Sequence, residues 1–445
     1  SGAKKITRAD HTKVDASWEN ASKIGAAAVA KKFGRADIAS PKAALKLIAD
    51  ARTASRDSGF AAEDEALTEL VMNDPLRASL YAFNLIQKGK KKIEGAPKPA
   101  LGRKVTRAGV VGAGLMASQL ALLIMRNLKV PVVITDLDQE RVDKGIAWIN
   151  NEIDTLVSKK RVRPDEASRL KSLLSGSVDK SVYAKCDFII EAVFENRDLK
   201  ASVTQASEGK LLSTGFFASN TSTLPISGLA KASTQAEKFI GIHFFSPVDK
   251  MKLVEIIRGK ATSDETVAKA FDYVQQLGKI PIVVNDSRGF YTSRTFGTFV
   301  MEGAAMLGEG IPAAVIENAA MQVGMPVGPL AVLDETALTL SVHVLDQTRA
   351  DYALEGKTYI ATPGELLVEE MVKKLARHGR AAGAGFYEYP ATKGQKKYLW
   401  TDLAVHYGKE NPQYLLQDVK DRILYRQAIE TARCLTENVL TTVHD

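Results

Sequence analysis

One short run constrains this chain more than any other: Gly112-Ala113-Gly114-Leu115-Met116-Ala117, directly behind the apolar segment 108–111 and opening a helical pattern over about 114–128. Strand, glycine turn and helix in that order form a G-x-G-x-x-G/A fingerprint. Gly112 permits the tight turn, Gly114 lets main chain approach a pyrophosphate, and Ala117 must still allow close packing of helix on strand. The helix start offers free amides and a positive dipole end to phosphates. Gly112, Gly114, Leu115 and Met116 are the cofactor-binding candidates of this turn. Asp136 ends the next strand-like segment, 130–135, and lies 22 residues beyond Gly114. A carboxylate there accepts from both ribose hydroxyls and repels a 2′-phosphate, which points to NAD rather than NADP. Leu137, Asp138 and Gln139 offer no arginine to a phosphate. An FAD site and an empty glycine turn are the readings left open.

The same alternation continues. Apolar segments 188–193, 216–218, 239–245, 253–257 and 280–284 are separated by helical patterns at about 138–158, 164–174, 197–211 and 264–278. Buried strands that do not alternate polar with apolar belong in a parallel sheet covered on both faces. Residues 104–285 are therefore expected to form a Rossmann-type doubly wound α/β domain. Before it, residues 1–95 read as helical, with alanine-rich segments at about 19–32 and 41–53. A longer stretch over 63–88 is broken at Asp74-Pro75. A basic linker follows at 96–103. Residues 286–390 read as an all-helical domain. Residues 391–445 begin a second, incomplete helical repeat: 294–311 aligns with 422–439 without gaps, pairing Arg294 with Arg422, Glu302 with Glu430, Leu307 with Leu435 and Glu309 with Glu437. Both ends of the chain read as truncations.

Composition excludes several classes. Of the 445 residues, 45% are hydrophobic and 25% charged, which is globular rather than disordered. Cys186 and Cys434 are the only cysteines, so there is no disulfide scaffold and no metal-ligand spacing. Together with the lack of a secretory signal or an apolar run near ~18 residues, this makes the cytoplasm of a bacterial-type cell, or another reduced compartment, the expected location. Most of the formal charge of +8 sits in 88–107, where eight Lys and Arg face Glu94 alone. A charge so local is not that of a uniformly basic nucleic-acid binder. It reads as a solvated linker or an anion patch.

Chemistry centres on His243, the one histidine of six at the end of an apolar strand in the α/β region. Reacting groups gather at the carboxyl ends of strands in such sheets. Twelve residues on, Glu255 stands inside the apolar run Leu253-Val254-Glu255-Ile256-Ile257, where a carboxylate is costly unless paired. A His–Glu pair resolves that cost, fixes the imidazole tautomer and favours its protonated form. Ser219-Asn220-Thr221-Ser222-Thr223 follows another short strand; it reads either as a helix cap or as a contact to substrate or nicotinamide ribose. Together these groups suit hydride transfer, with His243 as general base, Glu255 as its partner and Ser222 as a hydrogen-bond donor to a developing carbonyl oxygen.

The runs 112–117, 191–196, 219–223, 243–247, 251–257, 286–290 and 383–387 together resemble the L-3-hydroxyacyl-CoA dehydrogenase family over about 104–390. That family oxidises 3-hydroxyacyl-CoA to 3-ketoacyl-CoA with NAD in fatty-acid β-oxidation. The resemblance makes His243 the base, Glu255 its partner and Ser222 a contact to substrate and cofactor. It makes Asp136, Glu195 and Lys200 NAD contacts. Ser246 and Ser293 stand where the family has asparagine, in cofactor-binding and catalytic positions respectively, and a serine lacks the amide fork. The flanks resemble multifunctional fatty-acid oxidation proteins, in which an enoyl-CoA hydratase half precedes the dehydrogenase. Here 1–95 looks like only the tail of such a half, so hydratase activity is expected to be absent from this chain. A thiolase subunit and a homo-oligomer are the partners the resemblance implies. The phosphates of a CoA substrate give the basic cluster, and Lys144, Lys159 and Lys160, an anion-binding role. The competing readings are a related β-hydroxyacid dehydrogenase, whose commonest branch uses a lysine, and a silent nucleotide-binding module.

Overall fold

The computed structural model describes residues 16–33, 38–91, 101–102, 104–392, 394–410 and 413–443. Four helices come first: α1 (Ala16–Phe33), α2 (Ala39–Asp50), α3 (Arg56–Met72) and α4 (Asp74–Lys91). Ser55 caps α3 by accepting from the Ser58 amide, and the break expected at Asp74-Pro75 is the junction of α3 with α4. Of the expected linker only 101 and 102 lie within the described residues, and Lys92, Lys98 and Arg103 of the basic cluster lie outside them.

The α/β region runs β1 (Ala108–Val111), α5 (Leu115–Leu128), β2 (Val132–Thr135), α6 (Gln139–Ser158), α7 (Pro164–Ser172), β3 (Leu174–Ser177), β4 (Phe188–Glu191), α8 (Arg197–Glu208), β5 (Phe216–Ser219), α9 (Ile226–Leu229), β6 (Phe239–His243), β7 (Leu253–Arg258), α10 (Asp264–Gln276) and β8 (Ile280–Asn285). These eight strands form one sheet in the order β3-β2-β1-β4-β5-β6-β7-β8. Every pair is parallel except β6 with β7. The order reverses at β1, and Rossmann-type sheets bind dinucleotides beside that switch. β1, β2, β4 and β5 are buried at every position, which is why their sequences are apolar without alternation. Ala108 and Val110 face one buried cluster with Leu120, Ile124 and Ile149, while Val111 faces a second with Tyr183 and Phe217. β3 was not expected from the sequence. Its residues, Leu-Ser-Gly-Ser, carry one apolar side chain and form an edge strand.

Helices then dominate: α11 (Thr292–Gly308), α12 (Ala313–Gln322), α13 (Pro329–Thr336), α14 (Leu338–Leu354) and α15 (Pro363–Lys373). A short antiparallel pair, β9 (Tyr387–Glu388) and β10 (Tyr398–Leu399), precedes α16 (Leu403–Tyr407) and α17 (Leu416–Thr436). Compactness divides the chain into two units: Ser1–Phe83 with Gly297–Ala428, and Asn84–Phe296 with Ile429–Asp445. In the first, Phe299, Met306, Ile316, Leu330, Met371, Phe386 and Ile423 build the core. The second holds the sheet and, with it, residues 429–443.

The weak repeat has a physical counterpart. Within the sheet unit, Arg294 pairs with Glu430 (2.7 Å) and Glu437 (2.6 Å). Within the helical unit, Arg422 pairs with Glu302 (2.7 Å) and Glu309 (2.5 Å). Each arginine binds the two glutamates of the other copy, so the identical residues of the repeat are the ones that exchange charges. Leu307 and Leu435 differ: the first is buried and the second exposed.

Candidate active site

β6 and β7 are antiparallel neighbours, and their register sets His243 directly opposite Glu255. This explains the twelve-residue spacing, because directly opposed residues on neighbouring strands share a face. The His243 Nδ1 lies 3.1 Å from Glu255 Oε2. His243 is 6% exposed and Glu255 fully buried. Phe245 and Phe290 flank the imidazole.

Three further donors meet the Glu255 carboxylate, all from the junction of β8 with α11. The amides of Tyr291 (2.8 Å) and Thr292 (3.1 Å) donate to Oε1, and the Thr292 hydroxyl donates to Oε2 (2.5 Å). With His243, four donor positions therefore converge on one buried carboxylate. An ionised carboxylate only accepts, so Nδ1 must carry the proton it shares with Glu255. The lone pair of the neutral ring is then on Nε2.

Ser222 and Glu195 meet in the loops after β5 and β4. The Ser222 amide (3.0 Å) and hydroxyl (3.3 Å) both donate to Glu195 Oε1, joined by the Thr221 hydroxyl (2.5 Å), the Thr223 amide (3.0 Å) and the Thr223 hydroxyl (3.1 Å). Burial raises the affinity of Glu195 for a proton, but Lys200 and these donors outweigh it and hold the carboxyl below the usual glutamate range. Lys200 is only 1% exposed. Its ammonium lies on Glu191 (2.9 and 3.0 Å) and Glu195 (3.4 Å), so it ties β4 to its following loop. The Ser293 hydroxyl donates to the Ser222 carbonyl (2.9 Å), joining the first turn of α11 to the Ser222 loop. Ser246 is exposed just past the end of β6.

At the fingerprint, Gly112 has φ +111° and a Cβ there would crowd the Ala192 carbonyl, so only glycine makes this turn without strain. Gly114 caps α5, and a Cβ on it would meet open space, leaving room for a ligand to approach the main chain. Leu115 and Met116 begin α5. Asp136 Oδ2 accepts from the Ala113 amide at 2.8 Å, which brings the acid and the glycine turn together. A dinucleotide fits this set: amides for a pyrophosphate, and a carboxylate one short turn away for a ribose.

Two basic residues near Asp136 were not anticipated from the sequence. Arg141 Nη1 lies 3.8 Å from Asp136, and Lys180 donates to the Thr135 hydroxyl at 2.6 Å. Burial lowers the affinity of Lys180 for its proton, while Asp136 opposes that. Arg141 stands two residues past Leu137–Gln139, inside the first turn of α6. Lys180 follows β3, the strand the sequence did not reveal. The Tyr291 and Thr292 amides were also missed, since every non-proline residue carries an N–H.

Of the lysines considered for anion binding, Lys144 pairs with Glu140 (2.6 Å), and Lys159 and Lys160 are exposed after α6. Cys186 and Cys434 are buried and unbridged. Among the described residues no three His, Cys, Asp or Glu side chains gather as a metal site, and no helix is long and apolar enough to cross a membrane.

Residues 107–287 match the NAD-binding domain of 3-hydroxyacyl-CoA dehydrogenase, and residues 289–389 match the C-terminal domain of that enzyme. The chain is similar to the (S)-3-hydroxybutyryl-CoA dehydrogenase of Ralstonia eutropha at 33% identity, over 64% of this chain and 99% of that one, with a TM-score of 0.59. The fold is also that of the Escherichia coli 3-hydroxybutyryl-CoA dehydrogenase (19% identity, 76% and 86% covered, TM-score 0.63). It is shared too by the dehydrogenase part of multifunctional enzyme 1 from C. elegans (24%, 77% and 76%, 0.55). With its fingerprint, its opposed His–Glu pair and both domain matches, the chain belongs to the 3-hydroxyacyl-CoA dehydrogenase family and is an NAD-dependent oxidoreductase.

Proposed function

We propose that this chain oxidises L-3-hydroxyacyl-CoA to 3-ketoacyl-CoA, with His243 as general base. The observation that carries the reading is the 3.1 Å contact of His243 Nδ1 with a Glu255 carboxylate that already accepts three other hydrogen bonds: with the ring proton on Nδ1 facing that acceptor, Nε2 is free to accept. Nε2 takes the proton of the substrate 3-hydroxyl as its carbon gives up a hydride. NAD supplies the hydride acceptor. Glu255 balances the charge of the imidazolium, and the pair runs in reverse as an acid during reduction.

Ser222 supplies a hydroxyl for the substrate oxygen once it turns from Glu195. Ser293, with its proton on the Ser222 carbonyl, serves as a support of that loop rather than as a donor to substrate. Gly112, Gly114, Leu115 and Met116 hold the pyrophosphate at the start of α5. Asp136 exchanges the Ala113 amide for ribose hydroxyls. Glu195 and Ser246 would contact NAD, and Lys200 would act by ordering Glu195. We place the reaction in fatty-acid β-oxidation, in a reduced compartment. The parent protein is read as also an enoyl-CoA hydratase, with a thiolase subunit and a homo-oligomer as the partners.

The test follows both activities of such a parent. NADH consumption with acetoacetyl-CoA, and no hydration of crotonyl-CoA, is the expected pattern. NADH binding without consumption overturns the dehydrogenase assignment for this chain.

A further inference from the structure

The catalytic pair depends on main chain. Two of the four hydrogen bonds to Glu255 come from the Tyr291 and Thr292 amides, and a third comes from the Thr292 hydroxyl. A small displacement of these residues would move the carboxylate and, with it, the imidazole. What holds them is the end of the chain, some 140 residues later.

Residues 430–440 contact this junction at every level. The Asn285 amide donates to the Val439 carbonyl (2.8 Å), and its side-chain amide donates to the Asn438 carbonyl (2.8 Å). Val284 and Leu440 form an antiparallel bridge. Phe290 is fully buried in one cluster with Cys434, Val439 and Leu440. The Tyr291 hydroxyl meets that of Thr431. Arg294, two residues past Thr292, donates from Nε to Glu430 (2.7 Å) and from Nη1 to Glu437 (2.6 Å). All these residues belong to the sheet unit.

We propose that the segment 430–440 is part of the active-site architecture, and that Arg294 is a positioning residue. Clamped between Glu430 and Glu437, it holds the first turn of α11 so that the Tyr291 and Thr292 amides stay aimed at Glu255. The repeat supplies an internal control. Arg422 makes the same kind of double pairing with Glu302 and Glu309, and it does so in the helical unit. If these pairings only add stability, removing either arginine has one class of effect. If the first positions the catalytic pair, only Arg294 affects turnover.

The proposal rests on the His243–Glu255 reading, so the experiment carries Glu255→Gln beside it. In steady-state NADH consumption with acetoacetyl-CoA, Arg294→Met is expected to lower kcat roughly 10- to 100-fold, the scale of a small misplacement of a catalytic group. KM for both substrates should stay within about 3-fold, the signature of lost transition-state positioning rather than lost binding. Arg294→Lys restores part of kcat. Glu437→Gln, at a half-exposed position that tolerates change, shows the same pattern more weakly. Arg422→Met lowers the melting temperature but leaves kcat alone. Arg294→Met or Glu437→Gln indistinguishable from Arg422→Met in kcat, with Glu255→Gln impaired, overturns the positioning role alone. A fully active Glu255→Gln overturns the reading beneath it.

Discussion

Replacing Glu255 by glutamine tests the site at its buried end. The two side chains have the same shape, and the glutamine oxygen can keep the Tyr291 and Thr292 amides at the Oε1 position. The new NH2 group then occupies the place of Oε2, facing His243 Nδ1 at about 3 Å. An amide NH2 only donates, so Nδ1 must become the acceptor and the ring proton moves to Nε2. The base is then protonated at the atom meant to accept. The imidazolium that forms in the wild type also loses its counter-charge. Two charge-assisted hydrogen bonds are affected, with His243 and with Thr292, each on the order of 1.5–3 kcal/mol. At about 1.4 kcal/mol per decade, kcat should fall by roughly 10²- to 10⁴-fold. The assay is NADH consumption at saturating acetoacetyl-CoA, with near-ultraviolet circular dichroism confirming a native fold. A folded Glu255→Gln protein within about 3-fold of wild type would refute the tautomer argument.

Three other outcomes are expected. Asp136→Asn removes the carboxylate between Arg141 and Lys180 and leaves two cations where a 2′-phosphate would lie. The ratio of NADPH to NADH use should rise by roughly 10-fold or more, and Lys180→Met in that background should reverse it. Hydrogen bonds from Arg349 and Lys373 hold the Glu369 carboxyl down to about 2. A depressed folded value stabilises above the unfolded value of 4.5 and is lost as pH falls toward about 2. Glu369→Gln should therefore lower the melting temperature at neutral pH and lose its effect in acid. Gly385→Ala should destabilise the chain by about 1–3 kcal/mol in urea unfolding, because its Cβ would overlap the Asp334 carboxylate that binds the Phe386 and Tyr387 amides.

Much of the architecture was legible in the residues. The glycine turn, the buried strands and the helices between them each carry a local signal, and the cost of a carboxylate in an apolar run pairs Glu255 with His243, although the antiparallel register that opposes them is seen only in the fold. β3 was not legible, because an edge strand of small polar residues has no apolar pattern. Its absence from the reading hid Lys180 as well. The repeat could be seen, but its meaning could not: identity at Arg294 and Arg422 does not say that each arginine pairs with the other copy. Lys200 stands out in the sequence as an NAD contact the resemblance implies, but its burial against Glu191 depends on two elements folding together and has no local signal.

The most direct test of the central claim is NADH consumption with acetoacetyl-CoA by the wild-type chain and by His243→Gln. The account predicts turnover with NADH, much slower turnover with NADPH, and a loss of roughly 100-fold or more in the variant. Undiminished turnover by His243→Gln would contradict it.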